Sequence, residues 1–160
     1  MSLAPERRIF LVNVADLLRR PGSHRDVAFS APIPAVTVVE TSIPPGATAT
    51  VALRLESLSD GLTVMGTLAT TWTGLCRRCL EPAEGDVHAD VSEVFSAHPV
   101  NDEVWSMRND QLDLFALVTE TLTLELPLAP LCRADCAGLC SQCGANLNLE
   151  DCRHARPGVS

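Results

Sequence analysis

The stretch that decides the fold is Thr48–Cys76, TATVALRLESLSDGLTVMGTLATTWTGLC. Its first part alternates, with Val51, Leu53 and Leu55 separated by polar or small residues, which is typical of a strand with one buried face. The sequence Ser59–Gly61 then supplies a turn, and a second run rich in Thr, Val and Leu follows it. Two such runs around an Asp-Gly turn predict a β-hairpin.

The segments on either side of the hairpin extend this prediction. Asp86–Phe95 alternates in the same way and predicts a third strand. Val14–Arg20 has apolar residues at helical spacing, and the Arg-Pro-Gly sequence that follows ends the predicted helix. Asp26–Pro34 is predicted to be extended, because its two prolines are incompatible with a helix.

The second half of the chain is less clear. Residues 96–110 are predicted to form a loop, and residues 111–124 a second helix with Asp110 as its N-cap. Residues 121–126, TLTLEL, alternate and favour a strand instead. We choose the helix, because the leucines and valines of residues 111–124 recur on one helical face.

These elements predict one α+β domain with a twisted antiparallel β-sheet, two helices and a Cys-rich metal knuckle at the C-terminus. We divide it into a core of residues 1–130 and a tail of residues 131–160. The length of 160 residues suits a single domain, and 46% hydrophobic residues supply a core. No apolar run approaches the roughly 18 residues that a membrane span needs, and the apolar run after Arg7 and Arg8 is shorter than we expect of a signal peptide. We therefore expect a cytoplasmic protein with reduced thiols.

The charge is divided unevenly along the chain. Residues 1–80 hold eight Arg and six acids, net +2, whereas residues 81–160 hold four Arg and fourteen acids, net −10. Non-specific affinity for nucleic acid comes largely from basic side chains that neutralise phosphates. An acidic half therefore argues against tight, direct binding of RNA or DNA over the whole surface.

The tail carries most of the sulfur. Its sequence Leu131–His154, LCRADCAGLCSQCGANLNLEDCRH, holds five of the seven cysteines. Clustered cysteines in a reducing compartment favour metal binding over disulfides, and zinc takes four such ligands in a tetrahedron. The ligand set that we predict is Cys132, Cys136, Cys140 and Cys143. Cys152 and His154 are further candidates, although His154 alone is more typical of a surface residue.

A second pair of cysteines, Cys76 and Cys79, lies in GLCRRCLEP at the end of the predicted hairpin. This pair offers an alternative zinc site with Cys140 and Cys143, in which two Cys-x2-Cys knuckles face each other. Other interpretations stay open: thiol redox chemistry, an iron–sulfur cluster, or cysteines that only pack as small apolar side chains. The neighbouring arginines would lower the pKa of these thiols.

With these motifs in view, the chain resembles the YceD-like family of large ribosomal RNA subunit accumulation proteins. The resemblance rests on VADLLRRPGSHRDV near the start, on GLCRRCLEP, and above all on LELPLAPLCRADCAGLCSQCGANLN. The cysteine tail is similar to that of the family's Gram-positive form. Members with this tail often end in Cys-x-Cys, whereas here Cys152 is followed by Arg153 and His154. Since histidine can replace cysteine as a zinc ligand, this departure is compatible with metal binding.

The resemblance implies a role in the accumulation of 23S ribosomal RNA and in assembly of the large ribosomal subunit, without a catalysed reaction. The residues agree, because they show no nucleophile–base pair and no phosphate-binding glycine loop. The acidic half favours a basic ribosome-assembly protein as the direct partner, with ribosomal RNA contacted indirectly. The alternatives are a thiol-redox protein and a free-standing zinc adaptor that use the Cys-x2-Cys pairs.

Overall fold

The fold is built around one long hairpin. The computed structural model describes residues 5–154, with side chains from Arg7 onward. In chain order the elements are a 3-10 helix Pro5–Phe10, β1 Leu11–Asn13, α1 Ala15–Leu18, β2 His24–Pro32, β3 Val36–Val38, β4 Thr41–Ile43, β5 Thr48–Leu58, β6 Gly61–Leu75, β7 Pro82–Ser96, β8 Val104–Ser106, β9 Gln111–Asp113 and α2 Phe115–Leu124.

Strands β5 and β6 form the predicted hairpin, with Leu58 paired to Gly61 across the turn. Val51, Leu53 and Leu55 are buried as the alternation predicted. The third predicted strand, β7, pairs antiparallel with β6 from Leu62↔Phe95 to Leu75↔Pro82. On its other side β6 pairs with β5 up to Ala69, so its first part is a central strand.

The remaining strands complete a curled seven-stranded sheet. β2 pairs with β5, β4 pairs with the last part of β6, and β3 forms a short hairpin with β4. Their pairings are antiparallel, whereas β8 pairs with β7 in parallel. β1 and β9 form a separate antiparallel pair. The expectation of a single α+β domain with a largely antiparallel sheet and two helices is confirmed.

One glycine allows two strands of the hairpin to approach closely. Gly66 has a φ of +149°, and a side-chain carbon there would collide with the backbone carbonyl of Ala52 in β5. Any other residue at this position would therefore have to displace β5 or leave the left-handed region of backbone space.

The second helix is shorter than predicted, and the assignment of residues 111–113 to it is wrong. These residues form β9, in which Leu112 pairs with Val12. Asn109 and Asp110 both have positive φ, which makes a tight turn at the point where a helix start was expected. The N-cap residue is Leu114, which makes no side-chain cap hydrogen bond, and the Asp113 carboxylate accepts the Phe115 N–H at 3.0 Å just before the helix.

Helix α2 packs against the sheet and closes the core. Its residues Leu117, Val118 and Leu122 are buried with the inward side chains of β6 and β7. The prediction of a helix rather than a strand for the alternating TLTLEL sequence is therefore confirmed as far as Leu124. Within residues 5–154, no helix has the length and apolarity that a membrane crossing requires.

Candidate metal centres

Four cysteines from two distant parts of the chain converge beside the end of β6. Cys76 and Cys79 lie in the connection between β6 and β7, and Cys132 and Cys136 lie in the tail. Their sulfur atoms are all within 4.8 Å of one another. Cys76, Cys79 and Cys136 are buried, and Cys132 is exposed. We call these four residues the first centre.

The spacing of the sulfurs in the first centre suits a tetrahedral metal ion. The Sγ atoms of Cys76 and Cys136 are 3.7 Å apart, and those of Cys79 and Cys132 are 3.6 Å apart. Zn–S bonds of about 2.3 Å in a tetrahedron place two sulfurs about 3.8 Å apart, whereas a disulfide requires about 2.05 Å. All seven cysteines of the chain are free thiols.

A tight backbone turn presents Cys76 and Cys79 to the same point. The Leu80 N–H donates to the Cys76 carbonyl at 2.9 Å, and the Cys76 N–H donates to the Glu81 carbonyl at 2.8 Å. Leu80 adopts a φ of 62° to close the turn, a conformation that costs a non-glycine residue about 1–2 kcal/mol. The chain maintains this strained turn where it brings two sulfurs together.

The other tail ligands form a second group, which we call the second centre: Cys140, Cys143, Cys152 and His154. The Cys152 sulfur lies 3.2 Å from that of Cys140, 3.4 Å from that of Cys143 and 3.5 Å from His154 Nδ1. A tetrahedral zinc ion with three sulfurs and one nitrogen gives a sulfur–nitrogen separation of about 3.6 Å. This donor set is therefore also compatible with zinc.

The second centre repeats the turn of the first. The Gly144 N–H donates to the Cys140 carbonyl at 2.9 Å, and Gly144 has a φ of 75°. Gly144 thus occupies the position that Leu80 holds in the first centre. The second centre is less enclosed, since Cys143 and His154 are exposed and Cys152 is half-buried.

Backbone amides favour one thiolate in the first centre. Burial raises the pKa of Cys76, but the backbone N–H groups of Cys132, Cys79 and Arg78 act on its sulfur, and the net result is a pKa of about 6. The pKa of Cys132 rises to about 12 because of burial, followed by the neighbouring Cys79 and Cys136 thiols. The Cys132 thiol therefore needs added positive charge to ionise, which a bound divalent cation supplies.

The second centre shows the same division. The backbone N–H groups of Cys143 and Gln142 lower the pKa of Cys140 to about 6. The neighbouring Cys140 raises the pKa of Cys152 to about 11. Each centre thus provides at least one thiol with a lowered pKa and at least one thiol whose raised pKa calls for a cation beside it before it ionises.

The structure divides the predicted ligand set between the two centres. Cys132 and Cys136 join Cys76 and Cys79, whereas Cys140 and Cys143 join Cys152 and His154. Neither the predicted set nor the alternative of Cys76 and Cys79 with Cys140 and Cys143 comes together as one group. Metal ligation by these side chains stays a prediction.

The physical reason lies in how the tail docks on the first turn. The Arg77 N–H donates to the Pro130 carbonyl at 2.9 Å, which brings Cys132 beside Cys79. The Leu139 N–H donates to the Arg78 carbonyl at 3.1 Å. Cys132 and Cys136 therefore lie beside Cys76 and Cys79, and Cys140 belongs to the second centre.

Two further side chains support the first centre: Asn148, which the sequence analysis did not single out, and Arg78, which it considered only for its effect on the thiol pKa. Asn148 donates from Nδ2 to the Cys136 sulfur at 3.3 Å, and its Oδ1 accepts the Ala137 N–H at 2.8 Å. Arg78 donates from its guanidinium to the Cys136 carbonyl at 3.0 Å. An asparagine near a cysteine knuckle is a weak sequence signal for a residue that supports the site, because its side chain reaches the cysteine sulfur only in the folded tail.

The fold and the centres together define a small β-rich domain with two groups of four side chains that could hold a metal ion, one joining the sheet to the tail and one within the tail. The model of the family described as "Large ribosomal RNA subunit accumulation protein YceD" matches residues 64–159. The chain belongs to this family. The matched segment holds most of β6, all of β7 and α2, and all the residues of both centres.

Several curated proteins are similar to the chain. An uncharacterized protein of Mycobacterium tuberculosis is 38% identical over 148 residues, which are 87% of this chain and 71% of the relative. An uncharacterized protein of Mycobacterium leprae is 32% identical over 149 residues, 86% of this chain and 67% of the relative. The chloroplastic "Large ribosomal RNA subunit accumulation protein YCED homolog 1" of Zea mays is 24% identical over 155 residues, 76% of this chain and 53% of the relative. No solved structure matches the chain.

Proposed function

We propose that this chain is a non-enzymatic ribosome-biogenesis factor of the cytoplasm that supports accumulation of 23S ribosomal RNA and assembly of the large subunit. The observation that carries the proposal is the family match over residues 64–159. The family is named for accumulation of the large ribosomal RNA subunit, and the maize relative carries the same description. The family name describes an accumulation factor and no reaction.

In this proposal both centres hold zinc ions with a structural role. Each centre offers four protein ligands, which fills the coordination of a structural zinc site and leaves no position for a substrate or an activated water. An ion in the first centre would join the β6–β7 connection to the tail. An ion in the second centre would hold residues 140–154 in their turn.

The proposed direct partner is a basic protein of the assembling subunit. Residues 81–160 carry a net charge of −10, and Glu84, Asp86 and Asp90 alternate along the exposed face of β7. Such a surface repels a phosphate backbone and attracts Lys- and Arg-rich protein segments. Ribosomal RNA would then be affected through the partner.

The experiment that tests this function is depletion of the protein in its own cells. The proposal expects the ratio of 23S to 16S ribosomal RNA to fall, together with the 50S peak of a sucrose gradient. A wild-type gene should restore both. Normal 23S and 50S levels after complete depletion would contradict the proposal and favour a zinc adaptor unrelated to ribosomes.

A thiol-redox function is the second candidate, because the pKa of Cys76 is lowered to about 6 and low thiol pKa values are typical of redox-active cysteines. Reductase assays on metal-free and zinc-loaded protein separate the two functions. Zinc-sensitive reduction of a disulfide substrate that disappears in Cys76→Ser would support the redox candidate. No turnover in either form would reject it.

A further inference from the structure

An apolar groove lies between the β3–β4 hairpin and helix α2. It encloses a cavity of about 440 Å³, lined on one side by residues 33–36 and Ile43 and on the other by Thr119, Glu120, Thr123 and Leu124. This volume lies within the range of pockets that accept small ligands or a few side chains of a partner. None of the residues that line the groove belongs to either centre, so the metal sites leave the groove unexplained.

The α2 side of the groove is apolar because its threonine hydroxyls are hydrogen-bonded to the helix backbone. Thr119 donates its hydroxyl to the Phe115 carbonyl at 2.8 Å, and Thr123 donates its hydroxyl to the Thr119 carbonyl at 2.6 Å. Both hydroxyls are therefore satisfied within the helix. The threonines add carbon surface to the groove without a polar group that an apolar occupant would leave unpaired.

Large apolar side chains are exposed along the margin of the groove. Leu124 at the end of α2 is 84% exposed, and Leu128 is 70% exposed. The Thr41 hydroxyl donates to the Pro127 carbonyl, which brings the tip of the β3–β4 hairpin alongside this segment. Isolated exposed apolar residues are ordinary, but a group of them beside an apolar groove is typical of a binding surface.

The hairpin tip is strained as well as exposed. Val39 is 72% exposed and has a φ of 55°. A β-branched residue in the left-handed region is an outlier that costs on the order of 1–3 kcal/mol. A glycine or asparagine would relieve the strain, so an exposed valine at this position is better explained by contact with a partner than by stability.

The charges around the groove have one sign. Glu40, Glu120 and Glu125 lie on the two segments that form it, and residues 33–43 and 115–128 contain no Arg, Lys or His. Arg7 packs over the Phe115 ring at the other end of α2 and is paired with Asp113. A partner that inserts apolar side chains here therefore gains from positive charges at its flanks.

We propose that this groove, with the exposed Leu124 in its wall and Val39 and Leu128 on the two chain segments that adjoin it, is the docking site for an amphipathic segment of a basic protein. The apolar side chains of that segment enter the groove, and its Lys or Arg side chains face Glu120 and its acidic neighbours. The inference rests on the proposed function, because it assigns a surface to the basic partner. It is independent of both metal centres.

The test uses synthetic, fluorescein-labelled peptides as probes of the full-length, zinc-loaded protein. Three peptides of about fourteen residues, roughly four helical turns, share one helical pattern built from Leu and Lys, from Leu and Glu, or from Ser and Lys. Fluorescence anisotropy gives their affinities. The variants are Leu124→Gln and Glu120→Gln, and the matched controls at exposed positions on other surfaces are Val100→Gln and Asp60→Asn.

The Leu–Lys peptide is expected to bind, and the other two peptides are expected to bind at least tenfold more weakly. Leu124→Gln should weaken binding of the Leu–Lys peptide about tenfold, and Glu120→Gln about threefold, from the apolar area and the partly screened charge that they remove. The two controls should leave its affinity unchanged. Both test residues are on the surface of the helix, so folding is checked by circular dichroism before titration.

Three outcomes overturn the inference. Equal affinity for the Ser–Lys peptide would make the binding a general charge effect, and equal losses in the controls would place it elsewhere. A dimer of the free protein that Leu124→Gln dissociates, with no peptide binding, would make a second copy of the chain the occupant. Each of these outcomes rejects this docking site. If depletion of the protein nevertheless lowers the ratio of 23S to 16S ribosomal RNA, the proposed function still stands.

Discussion

Removing the tail ligands of the first centre should destabilise the whole domain, whereas removing those of the second should loosen only the tail. Cys76 and Cys79 belong to the buried core, with 0% and 3% of their surface exposed. Their tail partners are far away in sequence: Cys79 and Cys132 are separated by 53 positions, but Cys143 and Cys152 by 9. The loop-closure cost in an unfolded chain rises as (3/2)RT ln n, so the longer loop costs about 1.6 kcal/mol more.

An unfolded chain therefore retains metal less well at the first centre, and metal bound there favours the folded state more strongly. With free zinc held 1,000-fold above its dissociation constant, the stabilisation is about 4 kcal/mol. For a chain of this length that corresponds to roughly 8–16 °C in Tm. The second centre lies wholly within residues 140–154, and we expect its loss to change the Tm of the core by less than about 4 °C.

The assay is thermal unfolding by circular dichroism in a zinc buffer. Cys132→Ser, Cys136→Ser is compared with the matched double variant Cys143→Ser, Cys152→Ser, and wild type is measured with and without chelator. The chelator should lower the wild-type Tm to that of the first double variant. Equal Tm values for the two double variants, or a wild-type Tm that chelator leaves unchanged, would refute the reasoning. The wild-type comparison remains decisive even if the first variant fails to fold.

Two further substitutions test the sheet and the support of the first centre. Gly66→Ala should lower the free energy of unfolding by more than about 2 kcal/mol in a urea titration, because its side chain would meet the Ala52 carbonyl. The control is Gly46→Ala, whose side chain meets no atom within 4 Å and which should lower the free energy of unfolding by about 1 kcal/mol. Equal losses in the two variants would contradict this view of the hairpin. Asn148→Ala removes the N–H that reaches the Cys136 sulfur and should weaken zinc binding at one of the two centres at least tenfold in competition with a chromophoric chelator, an effect that unchanged affinity would exclude.

The hairpin was predictable because its pattern is local. Alternation in Val51, Leu53 and Leu55 and an Asp-Gly turn reveal both strands and their buried face without reference to the rest of the chain. The third strand and the early helix were found in the same way. These elements place the first cysteine pair at the end of a central strand.

The start of α2 was missed because the competing interaction is distant in sequence. Residues 111–113 contain no Gly or Pro that would exclude them from a helix, but Leu112 pairs with Val12 some hundred positions earlier. The positive φ values of Asn109 and Asp110 that force the turn have a signal in the Asn-Asp pair. The sequence analysis instead interpreted Asp110, one of these two residues, as the N-cap of the helix.

The grouping of the ligands could not be read from spacing. Six tail candidates and two cysteines near residue 78 allow several tetrahedral sets, and spacing alone does not choose between them. The choice depends on the hydrogen bond from the Arg77 N–H to the Pro130 carbonyl, a tertiary contact. His154, considered alone, was interpreted as a surface residue. The fold of the tail brings its Nδ1 beside the Cys152 sulfur.

The central claim is that the cysteines form two separate metal centres, and metal stoichiometry tests it most directly. Protein purified without chelator is analysed for zinc by elemental mass spectrometry, with the two double variants beside wild type. The account predicts two zinc ions per wild-type chain and one in each double variant. One ion in wild type that both variants lose would indicate a single shared site, and no transition metal in correctly folded wild type would contradict the account altogether.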